Sequence, residues 1–447
     1  MHTMNRREFL GQSSKIALAA SVASTFSINA LGANEKVVIG LMGAGGRGTQ
    51  LIEWFAKRPD VEVAWIADPD TSRHEACAAM IEKITGKKPQ LTQDFRKMLD
   101  DKSVNGIVNA TPDHWHALGT IMACQAGKDV YVEKPTCHSI WEGRKMIEAA
   151  RKYKRVVQVG TQNRSAEYCR KAFEYLRSKD FGDIHLIRVQ NSKLRNTIGK
   201  EPNGETPPGV DYDIWLGPAP MRPFNKNHFH YAWHWFWVYS GGDIINDGVH
   251  QIDITRWMSG ETYPKSVTST GGIFYYDDDQ ETPDTHIVNW DFGKMTIIFE
   301  QSLWSPYLKK VPTPIREGAG FPNWPFTGTR IEVYGTKQFM FLSRHGGGWQ
   351  VFDENEKCVS EHLGKFSESN TDHIGNFIDC IHSRALPNAD IEQIHLSTAW
   401  CHYGNIAYRL GRKLHIDAKT EGFVNDDEAN SYVKRQYRAP WTVPEQV

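Results

Sequence analysis

Neither sign of charge dominates this chain: 52 Lys and Arg stand against 53 Asp and Glu in 447 residues. There is no basic stripe to track a nucleic-acid backbone and no acidic solvating tail. No segment repeats, and no tract is of low complexity. None of the seven cysteines forms a C-x-x-C pair and their number is odd, so no disulfide can be assigned. Cys77 and Cys124 fall on apolar faces of helical patterns and read as small core residues. Long hydrophobic runs are missing too. The apolar stretch from Ile16 to Leu31, rich in Ala and Ser, falls short of a membrane span, and no stable membrane anchor is expected.

What is present begins at the N-terminus. Asn5-Arg6-Arg7-Glu8-Phe9-Leu10 precedes that apolar stretch, which ends in small residues at Ala30-Leu31-Gly32-Ala33. This reads as a twin-arginine export signal over residues 1–34, with a periplasmic destination. The segment carries no cysteine, which argues against a lipoprotein anchor. The route carries folded proteins, so any cofactor must be loaded before export.

A chain of 447 residues is too long for one compact core, and two domains are expected, at 35–160 and 161–447. The first alternates short, continuous apolar runs with helical patterns. Strands are expected near 37–41, 61–67, 106–110, 129–132 and 156–160, as in a parallel sheet covered on both faces. Helices are expected near 46–57, 71–84, 114–126 and 139–152, the last opened by the capping box Ser139/Glu142. The first strand enters Gly43-Ala44-Gly45-Gly46-Arg47-Gly48 and then a helix, which is how a chain cradles a dinucleotide pyrophosphate. The second strand ends in Asp68, twenty residues after Gly48, where an acid can bind the adenosine ribose. That acid argues for NAD over NADP. Arg73, close in sequence, is assigned to the exposed face of the next helix. The third and fourth strands end in Thr111-Pro112-Asp113-His114 and Glu133-Lys134-Pro135, so polar residues gather at one sheet edge. After about residue 161 the pattern becomes one of alternating strands joined by turns, reading as an open, mostly antiparallel sheet. Residues 195–230 form a long Pro- and Gly-rich loop, and helical periodicity returns near 371–413. The fold class is therefore a Rossmann domain followed by an α+β domain.

These motifs together resemble the glucose–fructose oxidoreductase / inositol dehydrogenase / rhizopine-catabolism (Gfo/Idh/MocA) family. The likeness rests on the Gly43/Gly45/Gly48 turn, Asp68-Pro69-Asp70, Thr111-Pro112, Glu133-Lys134-Pro135, Gly242 to Trp257, His373 to Asp379, and Gly404 to Arg409. It implies a bound NAD(P), mostly sugar or polyol substrates, and homo-oligomers, dimers or tetramers. It further implies that Gly43, Gly45, Gly46, Arg47, Gly48, Asp68, Thr111, Pro112, His116, Glu133 and Gln162 contact the cofactor.

Oxidising a secondary alcohol needs a base for the hydroxyl proton. Lys134, held at a strand end before the rigid Pro135, is the candidate, because burial beside a cationic nicotinamide lowers an amine toward neutrality. The second constellation is Asn246-Asp247-Gly248-Val249-His250. Family members commonly carry Asp four residues before the His; here Asn246 holds that position and the acid is Asp247. Either can share a helical face with His250. Asn246 cannot be a base and would only orient substrate. All four, Lys134, His250, Asn246 and Asp247, are catalytic candidates. Arg164, His234, Trp235 and Trp237 are candidates for substrate contact, the tryptophans as an aromatic wall against a sugar face. The same aromatics could equally be core packing. His228, His230 and His234 lack a fourth ligand at a diagnostic spacing, so no metal is expected.

The leading expectation is an exported NAD-dependent oxidoreductase with a tightly held cofactor, acting on a secondary hydroxyl of a sugar, polyol or glycoside. The alternatives are glycoside cleavage through transient oxidation at C3 and elimination, and a non-catalytic sugar-binding protein. Retention of Lys134 and His250 argues against the last.

Overall fold

The computed structural model describes residues 35–447; the export signal read at 1–34 lies outside them. Six parallel strands form the first sheet: β1 (Val37–Met42), β2 (Val61–Ala67), β3 (Gln90–Thr92), β4 (Gly106–Asn109), β5 (Asp129–Val132) and β6 (Val157–Val159). Their order is β3-β2-β1-β4-β5-β6. Val37, Ile39 and Leu41 on one face of β1 and Met42 on the other are all buried, because helices cover both sides. Helices Gly46–Ala56 and His74–Thr85 pack on one face, and Asp113–Gln125 and Ile140–Lys152 on the other. At the expected capping box, Glu142 accepts the Ser139 N–H at 3.2 Å. The strand order reverses at β1, so a crevice opens beyond the ends of β1 and β4, where such sheets bind ligands.

The second sheet has ten strands: β7 (Ile184–Ser192), β8 (Ser266–Gly272), β9 (Thr285–Asp291), β10 (Thr296–Ser302), β11 (Arg330–Gly335), β12 (Phe339–Ser343), β13 (Trp349–Phe352), β14 (Cys358–His362), β15 (Leu414–Asp417) and β16 (Gly422–Phe423). They lie in the order β14-β13-β12-β11-β7-β10-β9-β8-β15-β16. All neighbours are antiparallel except β7 and β10, whose parallel pairing makes the sheet mixed. The helix Val249–Ser259 crosses one face and carries His250 to the junction with the first sheet.

The helical pattern near 371–413 resolves into two helices, Phe366–Ser383 and Ile391–Leu410. Arg384 ends the first in the left-handed conformation, and Pro387 stands between them. Phe377, Ile378 and Ile381 of the first helix pack on the Rossmann sheet beside Phe55 and Tyr131. The C-terminal residues Trp441, Val443 and Val447 join the core on that sheet's other side. All seven cysteines are unpaired, with Cys77 and Cys124 buried as expected.

Candidate active site

A cavity of about 540 Å³ runs from the glycine turn to the junction of the two sheets. At its first end the helix Gly46–Ala56 begins directly after the turn, with its free N–H groups facing the crevice. A Cβ on Gly48 would lie 1.9 Å from the Gly43 carbonyl oxygen, so the turn can close this tightly only without a side chain. Asp68 sits beside it, accepting the Ala44 N–H at 2.7 Å and the Asp70 N–H at 2.9 Å. Burial raises its pKa, and Arg73, 3.8 Å away, opposes that. Arg73 thus lines the cavity instead of facing solvent, because it is drawn to Asp68 and Asp70. A bare turn, a helix N-terminus and a buried acid at the second strand end are the parts a dinucleotide requires, so NAD fits this end. Every residue assigned to the cofactor from sequence lines the same cavity.

The middle of the cavity is built from the ends of β4 and β5. His116 ties them together, its Nδ1 2.6 Å from the Pro135 carbonyl and its Nε2 2.9 Å from that of Thr111. Glu133 accepts from Arg47 Nε at 2.7 Å. Burial alone would raise Glu133, but Arg47 and Lys134 outweigh it and hold the carboxyl below its usual range. The Lys134–Pro135 peptide is cis. Lys134 Nζ donates to the Asn246 carbonyl at 2.7 Å and to Asn246 Oδ1 at 2.9 Å. Burial lowers its pKa, against the pull of Glu133, Asp113 and Asp247. A neutral amine here can keep both hydrogen bonds and aim its lone pair into the cavity. Asp113, which the sequence reading leaves without a role, is buried beside it and receives the Ser240 hydroxyl. Burial pushes Asp113 up to about 7, with Lys134 opposing.

The far end rests on an irregular turn. Residues Ile244–Gly248 form a single π-helical turn before the regular helix Val249–Ser259. The wider turn undoes the spacing argument for an acid–histidine pair. Asp247 does not bond His250; its carboxylate is taken by Arg344 at 2.7 Å, Lys310 at 2.8 Å and Lys193. Burial would raise Asp247, but these cations outweigh it and hold it well below the carboxylate range, so it is no base. His250 lines the cavity with its Nδ1 buried and without a partner among the described residues. Burial, then Arg344 and Lys134, keep its pKa well below the ordinary value, so the ring is neutral.

The aromatic wall is built from other rings than those expected. His234 lines the cavity, stacked on Trp233 at 3.6 Å between centroids, and burial lowers it to about 3. Trp215, Trp233 and Tyr231 complete the wall. Trp235 is turned into the core, with the Arg195 guanidinium 4.5 Å from its ring centre. Trp237 faces Tyr408 and Arg409 and donates from Nε1 to the Glu281 carbonyl. Trp235 closes, and Trp237 follows, a 3-10 turn, Ala232–Trp235, whose tight spacing separates their directions. Arg164 is also not a substrate contact. It is buried in a two-pronged pair with Asp253, at 2.9 and 2.8 Å, and anchors the helix Val249–Ser259. Arg316, Arg344, His345 and Phe366 line the cavity without having been anticipated. They come from the end of the short helix Thr313–Arg316, the turn after β12 and the start of the helix Phe366–Ser383.

A dinucleotide cradle that opens onto a half-buried lysine and a neutral histidine, at the seam of a Rossmann sheet and an open mixed sheet, defines a two-domain nicotinamide-dependent oxidoreductase. The chain matches the family models described as oxidoreductase family, NAD-binding Rossmann fold, over residues 37–161, and oxidoreductase family, C-terminal alpha/beta domain, over residues 196–279 and 340–443. It belongs to the Gfo/Idh/MocA oxidoreductase family. Among its relatives, the oxidoreductase YrbE of Bacillus subtilis is 24% identical over 309 residues, 68% of this chain and 72% of that protein. A glycosyl hydrolase family 109 protein of Stenotrophomonas maltophilia is 30% identical over 139 residues, 30% of each chain. The WlbA dehydrogenase from Bordetella pertussis, solved with NADH and UDP-GlcNAcA, superposes with a TM-score of 0.63 at 18% identity, covering 86% of this chain and 99% of that one.

Proposed function

We propose that the protein oxidises a secondary hydroxyl of a sugar, polyol or glycoside with NAD that it holds tightly. The observation that carries this is the single cavity joining the glycine turn to Lys134, whose half-buried amine is fixed on Asn246 and leaves one position free for a substrate hydroxyl. Bound NAD would supply the hydride acceptor. Lys134 takes the hydroxyl proton, His250 hydrogen-bonds the same oxygen, and Asn246 holds the amine in place. Asp113, held by the Ser240 hydroxyl, favours the charged form of Lys134. Trp215, Trp233 and His234 offer an apolar wall to a ring face and exclude water.

The match to a family 109 glycosyl hydrolase supports a second reading, in which oxidation is transient and the net result is glycoside cleavage. Export through the twin-arginine route accords with either, because a folded protein can leave with its cofactor inside. Incubation of the purified protein with a panel of glycosides, following nicotinamide absorbance and aglycone release together, separates the two. Net reduction of NAD without release marks a dehydrogenase; release without net reduction marks the cleavage cycle. Protein that does neither, and that yields no nicotinamide dinucleotide on denaturation, removes the proposal.

A further inference from the structure

The far end of the cavity holds more positive charge than its own carboxylates use. Asp243 and Asp247 are the acids that bond cations there, Lys193 bonding both and Lys310 bonding Asp247, while Glu317, next to Arg316, accepts from the Ser367 hydroxyl. Those two lysines already match the two acids. Arg344 adds a third cation, reaching Asp247 with one nitrogen, while its Nε is buried with no partner among the described residues. The Arg344 side chain is only 6% exposed and is fixed through its own backbone, whose carbonyl accepts from Asn163 Nδ2 and the Tyr168 hydroxyl, each at 2.8 Å. Arg316, a fourth cation in the cavity wall, meets no carboxylate within ion-pair distance among the described residues. Its Nε donates to the Val311 carbonyl at 2.6 Å. Burial lowers its pKa and Arg344 lowers it further, outweighing the opposing pull of Asp247 and Glu317.

The backbone brings the segments that carry the two arginines together, and both side chains line the same cavity. Gly346, at φ +74, lets the loop after β12 press on residue 316; a Cβ there would lie 2.3 Å from the Arg316 carbonyl oxygen. Two like charges brought together in a part-buried wall are unfavourable unless an anion joins them. The dinucleotide's phosphates are accounted for at the glycine turn, at the cavity's other end.

We infer that the substrate carries a carboxylate or sulfate ester that seats between Arg316 and Arg344 while its reacting hydroxyl faces Lys134. A planar guanidinium pair suits the two or three oxygens of such a group. This inference rests on the sugar oxidoreductase reading for the nature of the rest of the ligand.

The test is calorimetric binding to the full protein with NAD bound, at low and at raised salt. Probes are methyl β-D-glucuronide and N-acetylglucosamine 6-sulfate, each beside its neutral counterpart, methyl β-D-glucoside and N-acetylglucosamine. At least one acid should bind about tenfold or more tighter than its neutral match, in line with a charge-assisted contact, and weaken with salt. Which acid wins distinguishes carboxylate from sulfate. In Arg316→Met the preference should fall to within about threefold, and Arg316→Lys, which keeps the charge and guards against misfolding, should retain part of it. Neutral sugars bound as well as the acids, no binding of either acid, or a preference untouched in Arg316→Met would each overturn the inference. An acid that binds as described yet is never oxidised leaves this inference standing and removes the oxidoreductase reading instead.

Discussion

Replacing Lys134 by Met should silence the chemistry and spare the fold, and the two effects can be sized separately. The substitution removes two hydrogen bonds to Asn246, at 2.7 and 2.9 Å, each contributing about 1 kcal/mol net. Against that loss, it removes the desolvation of the amine and its repulsion from Arg344, which together outweigh the pull of Glu133, Asp113 and Asp247 on its charge. Folding stability should therefore change by no more than about 2 kcal/mol. Losing the proton acceptor raises the barrier by about 3–5 kcal/mol, a fall in kcat of roughly 10²–10⁴. Steady-state turnover on a sugar that the wild-type protein oxidises gives the second quantity; thermal melting and NAD titration give the first. A Lys134→Met protein that melts normally, binds NAD normally and keeps kcat within tenfold of wild type would refute the role given to this amine. Asn246→Asp belongs in the same series. It keeps both acceptors for Lys134 and should be tolerated far better.

Two further outcomes are expected. Neutral Lys134 is the active form in oxidation, so kcat/KM should rise as pH passes its pKa. Asp113 raises that pKa by its charge, and Asp113→Asn should move the acid limb of the pH profile to lower pH; a limb that stays put or moves upward contradicts the coupling. Arg164→Met should leave Asp253 buried without its ion pair, destabilising the fold by about 3–5 kcal/mol. At a permissive temperature it should leave KM for the sugar unchanged, and a raised KM would restore Arg164 to the substrate site.

The parts of the site legible in the sequence are those written locally. The glycine turn, Asp68 and Glu133-Lys134-Pro135 each close a strand whose apolar run is continuous, so strand and ligand edge are read in one pass. β3 escapes because Gln90-Leu91-Thr92 has a single apolar residue. β13 and β14 escape because polar residues interrupt the apolar run that marks the equally short β4 and β5. The single helical pattern near 371–413 hides a break, since apolar spacing survives across Arg384 and Pro387. The aromatic segment misleads for a different reason. Composition shows that rings are dense between residues 228 and 237, but a short 3-10 turn decides which of them face the cavity, and Trp233 does where Trp235 does not. The π turn at Ile244–Gly248 likewise redirects Asp247 away from His250. Arg316 and Arg344 could not be linked at all from sequence; only the pressing of Gly346 on residue 316 brings them together.

The return of the chain onto its own beginning has a practical meaning. Phe377, Ile378 and Ile381 roof the sheet face that holds Phe55 and Tyr131, while Trp441 stands against Trp115 on the opposite face. A fragment ending at residue 160 would keep all six parallel strands and the entire nucleotide turn, yet would bare aromatic rings on both faces to water. The nucleotide-binding half is therefore finished only when the last residues of the chain arrive. During synthesis it must wait for nearly three hundred more residues before its core is closed.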